Sequence, residues 1–293
     1  MKRPRIEEIA DRLEVSIPQA ASPRRLRDVV EGELSTFFGV PMLEAAERAE
    51  QLEPRLAQMI ARRQEECERA GTLAALVVLG SSFNMVAGAC HVLTTDSEAV
   101  AQAKASRANV VPLLGRMQSL TADEFELFGA KVLVEIGAQQ VRVTPRSNDQ
   151  GIDFYGTLNI GKLTNAPEPF FRLAHDIAIQ IAGQAKNYPN KAVSTNAIRE
   201  LVGAIALARY KAFSTDVDLF EDLELKPFNP LVALLFTTGR LTSGAQLLAE
   251  KSGVIARSGH QLAVFLADRG VGMIAVGGGS SFDPAAFDAW LKA

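Results

Sequence analysis

Asp153, Gln184 and Lys186 are the residues whose types and spacing could do chemistry in this chain, and that chemistry is phosphodiester hydrolysis. Asp153 closes the string Ser147-Asn148-Asp149-Gln150-Gly151-Ile152-Asp153 at the start of an apolar strand. Gln180-Ile181-Ala182-Gly183-Gln184-Ala185-Lys186 carries a Gln-x-Lys at the end of another. A phosphodiester resists attack because its oxygens repel a nucleophile and its alkoxide leaves poorly; bound Mg²⁺ offsets both by neutralising charge and acidifying water. Mg²⁺ takes oxygen ligands and keeps several waters, so one carboxylate and one carbonyl suffice. Asp153 offers the carboxylate and Gln184 the amide oxygen. Lys186 shares a strand face with Gln184, because strand side chains alternate. Its ammonium there would orient the attacking water and stabilise charge developing on phosphorus.

Two further carboxylates stand close in the pattern. Asp149 faces the side of Asp153 if the strand already holds there, or else caps the turn into it; Gly151 between them permits a sharp backbone bend. Glu126 lies at the edge of an apolar helical stripe, placed to hydrogen-bond a metal-bound water or to hold Lys186. Each residue also has an ordinary explanation. An aspartate at a strand start caps turns, and a Gln-x-Lys near a strand end decorates a surface. The order of the surrounding elements is what favours the site.

Those elements begin after Val110-Val111-Pro112. Thr121-Ala122-Asp123-Glu124 is a capping box. Phe125, Phe128, Val132, Leu133 and Ile136 then fall on one helical face, closed by Gly137. Residues 139–144 and 152–158 read as strands around a turn at 145–150, and 174–184 as a strand covered on both faces. Ser194 or Thr195 caps a helix running to Tyr210. An acidic loop at 212–226, a strand at 231–236, a helix at 242–251, a short strand at 254–256 and a helix at 261–268 follow. This order describes an α/β sandwich with a central mixed sheet.

Residues 1–110 read differently. Basic clusters at Lys2–Arg5 and Arg24–Arg27 suit a solvated arm. Residues 41–69 carry apolar positions at helical spacing, and a short helix is expected near Glu98–Arg107. From Ala70 to Thr95 there is no charge. That stretch is expected to be a buried helix; as a membrane span it is interrupted by Gly80, Ser81, Ser82, Asn84 and His91. The expected organisation is therefore a mostly helical N-terminal region at 1–110, an α/β domain at 111–275, and a tail at 276–293 opened by Gly277-Gly278-Gly279.

Bulk numbers exclude some classes. Of 293 residues, 47% are hydrophobic and 22% charged, as in a soluble globular protein. The formal charge of −3 advertises no nucleic-acid binder, although a net value can hide a local patch. Cys67 and Cys90 form no Cys-x-x-Cys and no Cys/His cluster, so neither a disulfide framework nor a zinc site is expected. Charged sequence at the start leaves no visible secretory signal, and the cytoplasm is the expected compartment.

Phe125-Glu126, Ser147–Asp153, Gln184-Ala185-Lys186-Asn187-Tyr188, Ile198–Gly203 and Phe236-Thr237-Thr238-Gly239, in that order, resemble the catalytic domain of Mrr-type restriction endonucleases over about residues 118–272. The resemblance implies the restriction-endonuclease-like PD-(D/E)XK fold, with glutamine in place of the usual glutamate, and Mg²⁺-dependent cleavage of double-stranded DNA in restriction or phage defence. It implies Asp153, Gln184 and Lys186 as the catalytic core, with Glu126 and Asp149 in support. Residues 157–173 and 212–228 are longer than the family's linkers. The family's usual N-terminal DNA reader is a winged helix, whereas residues 1–110 show no β-wing signal. Arg146, Lys191, Arg199, Lys211 and Arg240 are candidate phosphate contacts, which would position DNA rather than read it. A homo-oligomer is expected, because cutting both strands takes two sites or two successive nicks. Two other readings stay open: a regulated interaction or sensor protein whose nuclease domain idles until triggered, and a catalytically silent nucleic-acid-binding module.

Overall fold

The computed structural model describes residues 4–80, 84–144, 151–160, 177–211, 229–277 and 279–293. They divide into two compact units, Met1–Val111 with Val264–Ala286, and Pro112–Ala263 with Phe287–Ala293. Arg146, Asp149 and the acidic loop at 212–226 lie outside the described residues.

The first unit begins with α1 (Ile6–Ser16), β1 (Arg24–Arg25), α2 (Leu26–Thr36) and α3 (Met42–Ala70), followed by β2 (Leu76–Leu79), β3 (Met85–Gly88) and α4 (Glu98–Arg107). Ala45, Ala49, Leu56 and Ile60 recur at helical spacing on α3 and bury against Ile9 and Leu13 of α1 and Leu26, Val30 and Leu34 of α2. Arg63 pins α3 to α1 by pairing with Asp11 at 2.7 Å and Glu14 at 2.9 Å. Gly71, at φ +63°, ends α3 in the left-handed conformation that favours glycine.

The uncharged stretch after α3 is a hairpin and not the expected helix. β2 and β3 pair antiparallel from Leu76 opposite Gly88 to Leu79 opposite Met85, and β1 adds to β3. α1, β1, α2 and α3 followed by the β2–β3 hairpin have the element order of a winged helix-turn-helix, so strands stand where the sequence showed no β-wing signal. Among the described residues no helix is long and apolar enough to cross a membrane. The start of α3, the second helix of the helix-turn-helix, exposes Met42 and Leu43 at 73% and 77%, then Glu47 and Glu50. Cys90, buried after the hairpin, has its thiol pushed up to about 11 by desolvation, which leaves it protonated and unreactive.

The second unit holds α5 (Val110–Gln118), α6 (Ala122–Glu135), β4 (Gln139–Val143), β5 (Phe154–Asn159), β6 (Ala178–Lys186), β7 (Ala192–Val193), α7 (Thr195–Arg209), β8 (Leu231–Thr237), β9 (Arg240–Leu241), α8 (Ser243–Ser252), β10 (Ile255–Arg257) and the start of α9 (Gly259–Asp268). Its five-stranded sheet has the order β10-β8-β6-β5-β4. β10, β8 and β6 run parallel, while β5 and β4 are antiparallel to their neighbours, giving a central mixed sheet.

Residue parity sorts the two sheet faces. Tyr155, Ala182 and Leu235 bury against Ile198, Leu201 and Ile205 of α7 and Ala249 of α8. On the opposite face, the Phe154 ring lies under Gly129 of α6 and stacks on Phe236 with centroids 5.3 Å apart. The residues expected to form a tail are built in. β11 (Met273–Val276) and β12 (Gly279–Phe282) form a hairpin that clusters with the first unit. Phe287 and Trp290 of α10 (Pro284–Lys292) pack on Phe128, and Trp290 donates to Glu135 at 2.8 Å.

Thr121 caps α6 as the capping box requires, its hydroxyl accepting from Glu124 N–H at 3.3 Å while the Glu124 carboxylate accepts from Thr121 N–H at 2.8 Å. The Thr121 N–H, and after it the Thr121 hydroxyl donating to the same carboxylate at 3.0 Å, hold the Glu124 carboxyl below its ordinary 4.5. Thr121→Ala should lower stability by about 1 kcal/mol, read from urea midpoints. A carboxyl whose folded value is depressed stabilises above its unfolded value and loses that contribution as pH falls through the folded one. The gap between wild type and variant should therefore be full above pH 4.5 and shrink on further acidification.

Candidate active site

Asp153 sits where β5 and β6 part. The last paired residues are Phe154 and Gly183. Just beyond them Asp153 N–H donates to Gly183 O at 2.9 Å, and Asp153 Oδ2 accepts from Ala185 N–H at 2.7 Å. The carboxylate thus spends one oxygen on an amide that a partner strand would otherwise take, and it is anchored on both sides of Gln184. Asp153 is 5% exposed and Gln184 1%.

Gln184 Oε1 is buried and, among the described residues, accepts no hydrogen bond. A buried carbonyl oxygen without a partner costs about 1–3 kcal/mol, so its retention beside a carboxylate calls for a donor or a cation. Lys186 follows on the same face and pairs with Glu200 of α7, Nζ to Oε2, at 3.5 Å. Gly151 occupies the space between these groups at φ +87°. A Cβ there would meet Ala204 Cβ at 3.1 Å, Glu200 Cγ at 3.8 Å and Gln184 Nε2 at 3.9 Å. A side chain at this position would therefore fill the gap as well as strain the backbone.

The strand ends beyond Lys186 are clamped by the Thr237-Thr238-Gly239 string. Thr238 Oγ1 donates to Asn187 Oδ1 at 2.8 Å, and Asn187 Nδ2 donates to Leu120 O. A Cβ on Gly239 would stand 2.2 Å from Tyr188 O and 2.6 Å from Lys191 O, so this glycine lets the 188–191 loop close against β8. Lys191 and Arg199 are exposed near this end; Arg199 donates to Thr195 Oγ1 at 2.9 Å.

Asp153, Gln184 and Lys186 are thus brought together. Glu126 was expected to hydrogen-bond a metal-bound water or to hold Lys186. It lies one turn before Gly129, on the helix covering the Phe154 face, whereas the carboxylate paired with Lys186 is Glu200. Sequence reasoning passed over Glu200. The available signal was its position on α7, one turn before Ala204 and between the buried Ile198 and Leu201. Among the described residues no three His, Cys, Asp or Glu side chains gather as a metal site.

This cluster falls inside a segment of known type. Residues 117–215 match the family model Mrr_cat, a restriction endonuclease. The chain carries a Mrr-type restriction endonuclease domain. The match, about a third of the chain, takes in α6, β4 to β6 and α7, and hence Asp153, Gln184, Lys186 and Glu200 of the Mrr-type domain. Among solved structures, a chain of the MspJI restriction endonuclease in complex with a 27-mer oligonucleotide is similar at 20% identity. The alignment covers 61% of this chain and 36% of that one, with a TM-score of 0.35. The present chain thus spans about a third of that protein's length. No curated protein matches the sequence.

Proposed function

We propose that this protein is a Mg²⁺-dependent endonuclease that hydrolyses phosphodiester bonds of double-stranded DNA, of restriction or phage-defence type, on a restriction-endonuclease-like PD-(D/E)XK domain. The observation that carries the reading is the unpartnered, buried Gln184 oxygen beside the anchored Asp153 carboxylate, within the Mrr-type segment. One charged and one neutral hard oxygen fit Mg²⁺, which takes oxygen ligands and keeps several waters. When bound, Mg²⁺ neutralises phosphate charge and acidifies a water.

The chain's own groups do the remaining work. Ala185 N–H fixes the Asp153 carboxylate in place beside Gln184, so it is oriented before any ligand arrives. Lys186 presents its ammonium on the same face, where it orients the water and meets charge developing on the phosphate. Glu126 and Asp149 support these groups in catalysis. Lys191 and Arg199, exposed at the strand ends, hold the DNA backbone, and Arg146 joins them. Two copies of the chain cut the two strands.

Supercoiled plasmid should be nicked and linearised by the wild-type protein with Mg²⁺ and left intact when EDTA is added. Lys186→Ala should be at least about a hundredfold slower. Cutting that survives EDTA, or equal cutting by Lys186→Ala, would sink the reading. A second reading, in which the N-terminal unit regulates the nuclease through a protein partner, is favoured by the apolar and acidic start of α3.

A further inference from the structure

We infer that Glu200 is the positioning residue for Lys186, an inference that rests on the nuclease reading and names a part of the site that reading lacked. Three observations converge on it. Glu200 Oε2 stands 3.5 Å from Lys186 Nζ. That is longer than a charge-assisted hydrogen bond, so the carboxylate steers the ammonium without capturing it. With its side chain 54% exposed, Glu200 gains little stability from the pair, and a purely structural role explains its placement poorly.

The helix turn that carries Glu200 is also held from behind. Ile198 and Leu201, on either side of Glu200, are 1% and 0% exposed. One turn on, Ala204 abuts Gly151, and the gap that Gly151 leaves open is bordered by Glu200 and Gln184 together. Glu200 is thus a fixed point from which a flexible lysine can be aimed at the space beside Gln184 Oε1.

Charge gives the third argument. Asp153 and Lys186 cancel, and Gln184 is neutral. Glu200 makes the group net negative, which suits a divalent cation entering against the lysine's repulsion.

A double-mutant cycle of Glu200→Ala, Lys186→Ala and the pair tests this, with kcat and KM measured on plasmid at saturating Mg²⁺. Glu200→Ala should lower kcat about ten- to hundredfold. KM for DNA should stay within about twofold, because the group acts on chemistry and not on binding. Glu200→Asp should recover part of the loss, and Glu200→Ala should cost nothing further in the Lys186→Ala background. Wild-type kcat in Glu200→Ala, or losses that multiply in the pair, would overturn the inference. A readout independent of activity is acetylation of Lys186 by an amine-reactive reagent, followed by mass spectrometry. Labelling should be faster in Glu200→Ala at an unchanged melting temperature, and equal labelling also overturns the inference. If the wild-type protein cuts nothing with Mg²⁺, the nuclease reading fails, and the labelling comparison alone decides whether Glu200 positions Lys186.

Discussion

Asp153→Asn should leave a folded protein that cuts DNA about a thousandfold more slowly, the loss expected when a centre of charge stabilisation is removed from an active site. Asparagine keeps an oxygen where Asp153 Oδ2 accepts from Ala185 N–H, so the junction at which β5 and β6 part remains tied. What disappears is the Asp153 carboxylate charge next to Gln184, and with it the charge that offsets desolvation of a divalent ion. Asp153→Ala should lose cleavage to the same degree and also stability. Its truncation leaves the Ala185 amide without an acceptor at a site only 5% exposed, at a cost of about 1–3 kcal/mol. The two variants together separate chemistry from architecture. Calorimetric Mg²⁺ titration should show binding lost in both, while urea unfolding should distinguish them. Cleavage by Asp153→Asn at the wild-type rate would remove Asp153 from the mechanism.

The largest effect on folding is expected at Gly183. A Cβ there would stand 2.2 Å from two carbons of the Phe154 ring, which is 0% exposed and stacked on Phe236. The ring cannot retreat, because Gly129 of α6 covers its other edge, where an added Cβ would come within 2.3 Å. Gly183→Ala should therefore cost about 3 kcal/mol or more, the upper range for overpacking a filled core. Gly129→Ala should cost a similar amount. Because both glycines clear space for one ring, replacing that ring should relieve either. Phe154→Leu combined with Gly183→Ala should be more stable than Gly183→Ala alone, as seen in denaturant midpoints. If the single variant melts like wild type, the ring is not wedged as described. The consequence reaches the site, because Gly183 O holds Asp153 N–H and Gln184 follows directly.

The same residues show what was legible beforehand. Strand alternation put Gln184 and Lys186 on one face, and the capping box at Thr121 placed the start of α6, because both signals are local. The Lys186–Glu200 pair joins a strand end to a helix, and no local periodicity links them. The β2–β3 hairpin was missed because Thr72–Leu93 is uncharged and mostly apolar, a run that buried helices and buried strands share. Val77-Val78 ahead of Gly80, which adopts φ +87°, was the discriminating signal. Gly277-Gly278-Gly279 read as a break for a related reason. Glycine serves flexible linkers and tight turns alike, and here Val276 pairs with Gly279 across the turn of a hairpin.

The acidic start of α3 bears on thermodynamics as well as partners. A helix that reads a major groove gains most of its affinity by displacing condensed cations from phosphates, one for each lysine or arginine it brings. Glu47 and Glu50 bring none; Glu50 already neutralises Arg27 at 3.6 Å. The wing strands carry no charge either. Exposed cations available for that exchange include Arg55 further along α3, Arg24 and Arg25 on β1, and Lys191 and Arg199 at the strand ends of the second unit. A DNA contact made through Glu47 and Glu50 at the start of α3 would therefore weaken less with added salt than one made through Arg24 and Arg25 of β1.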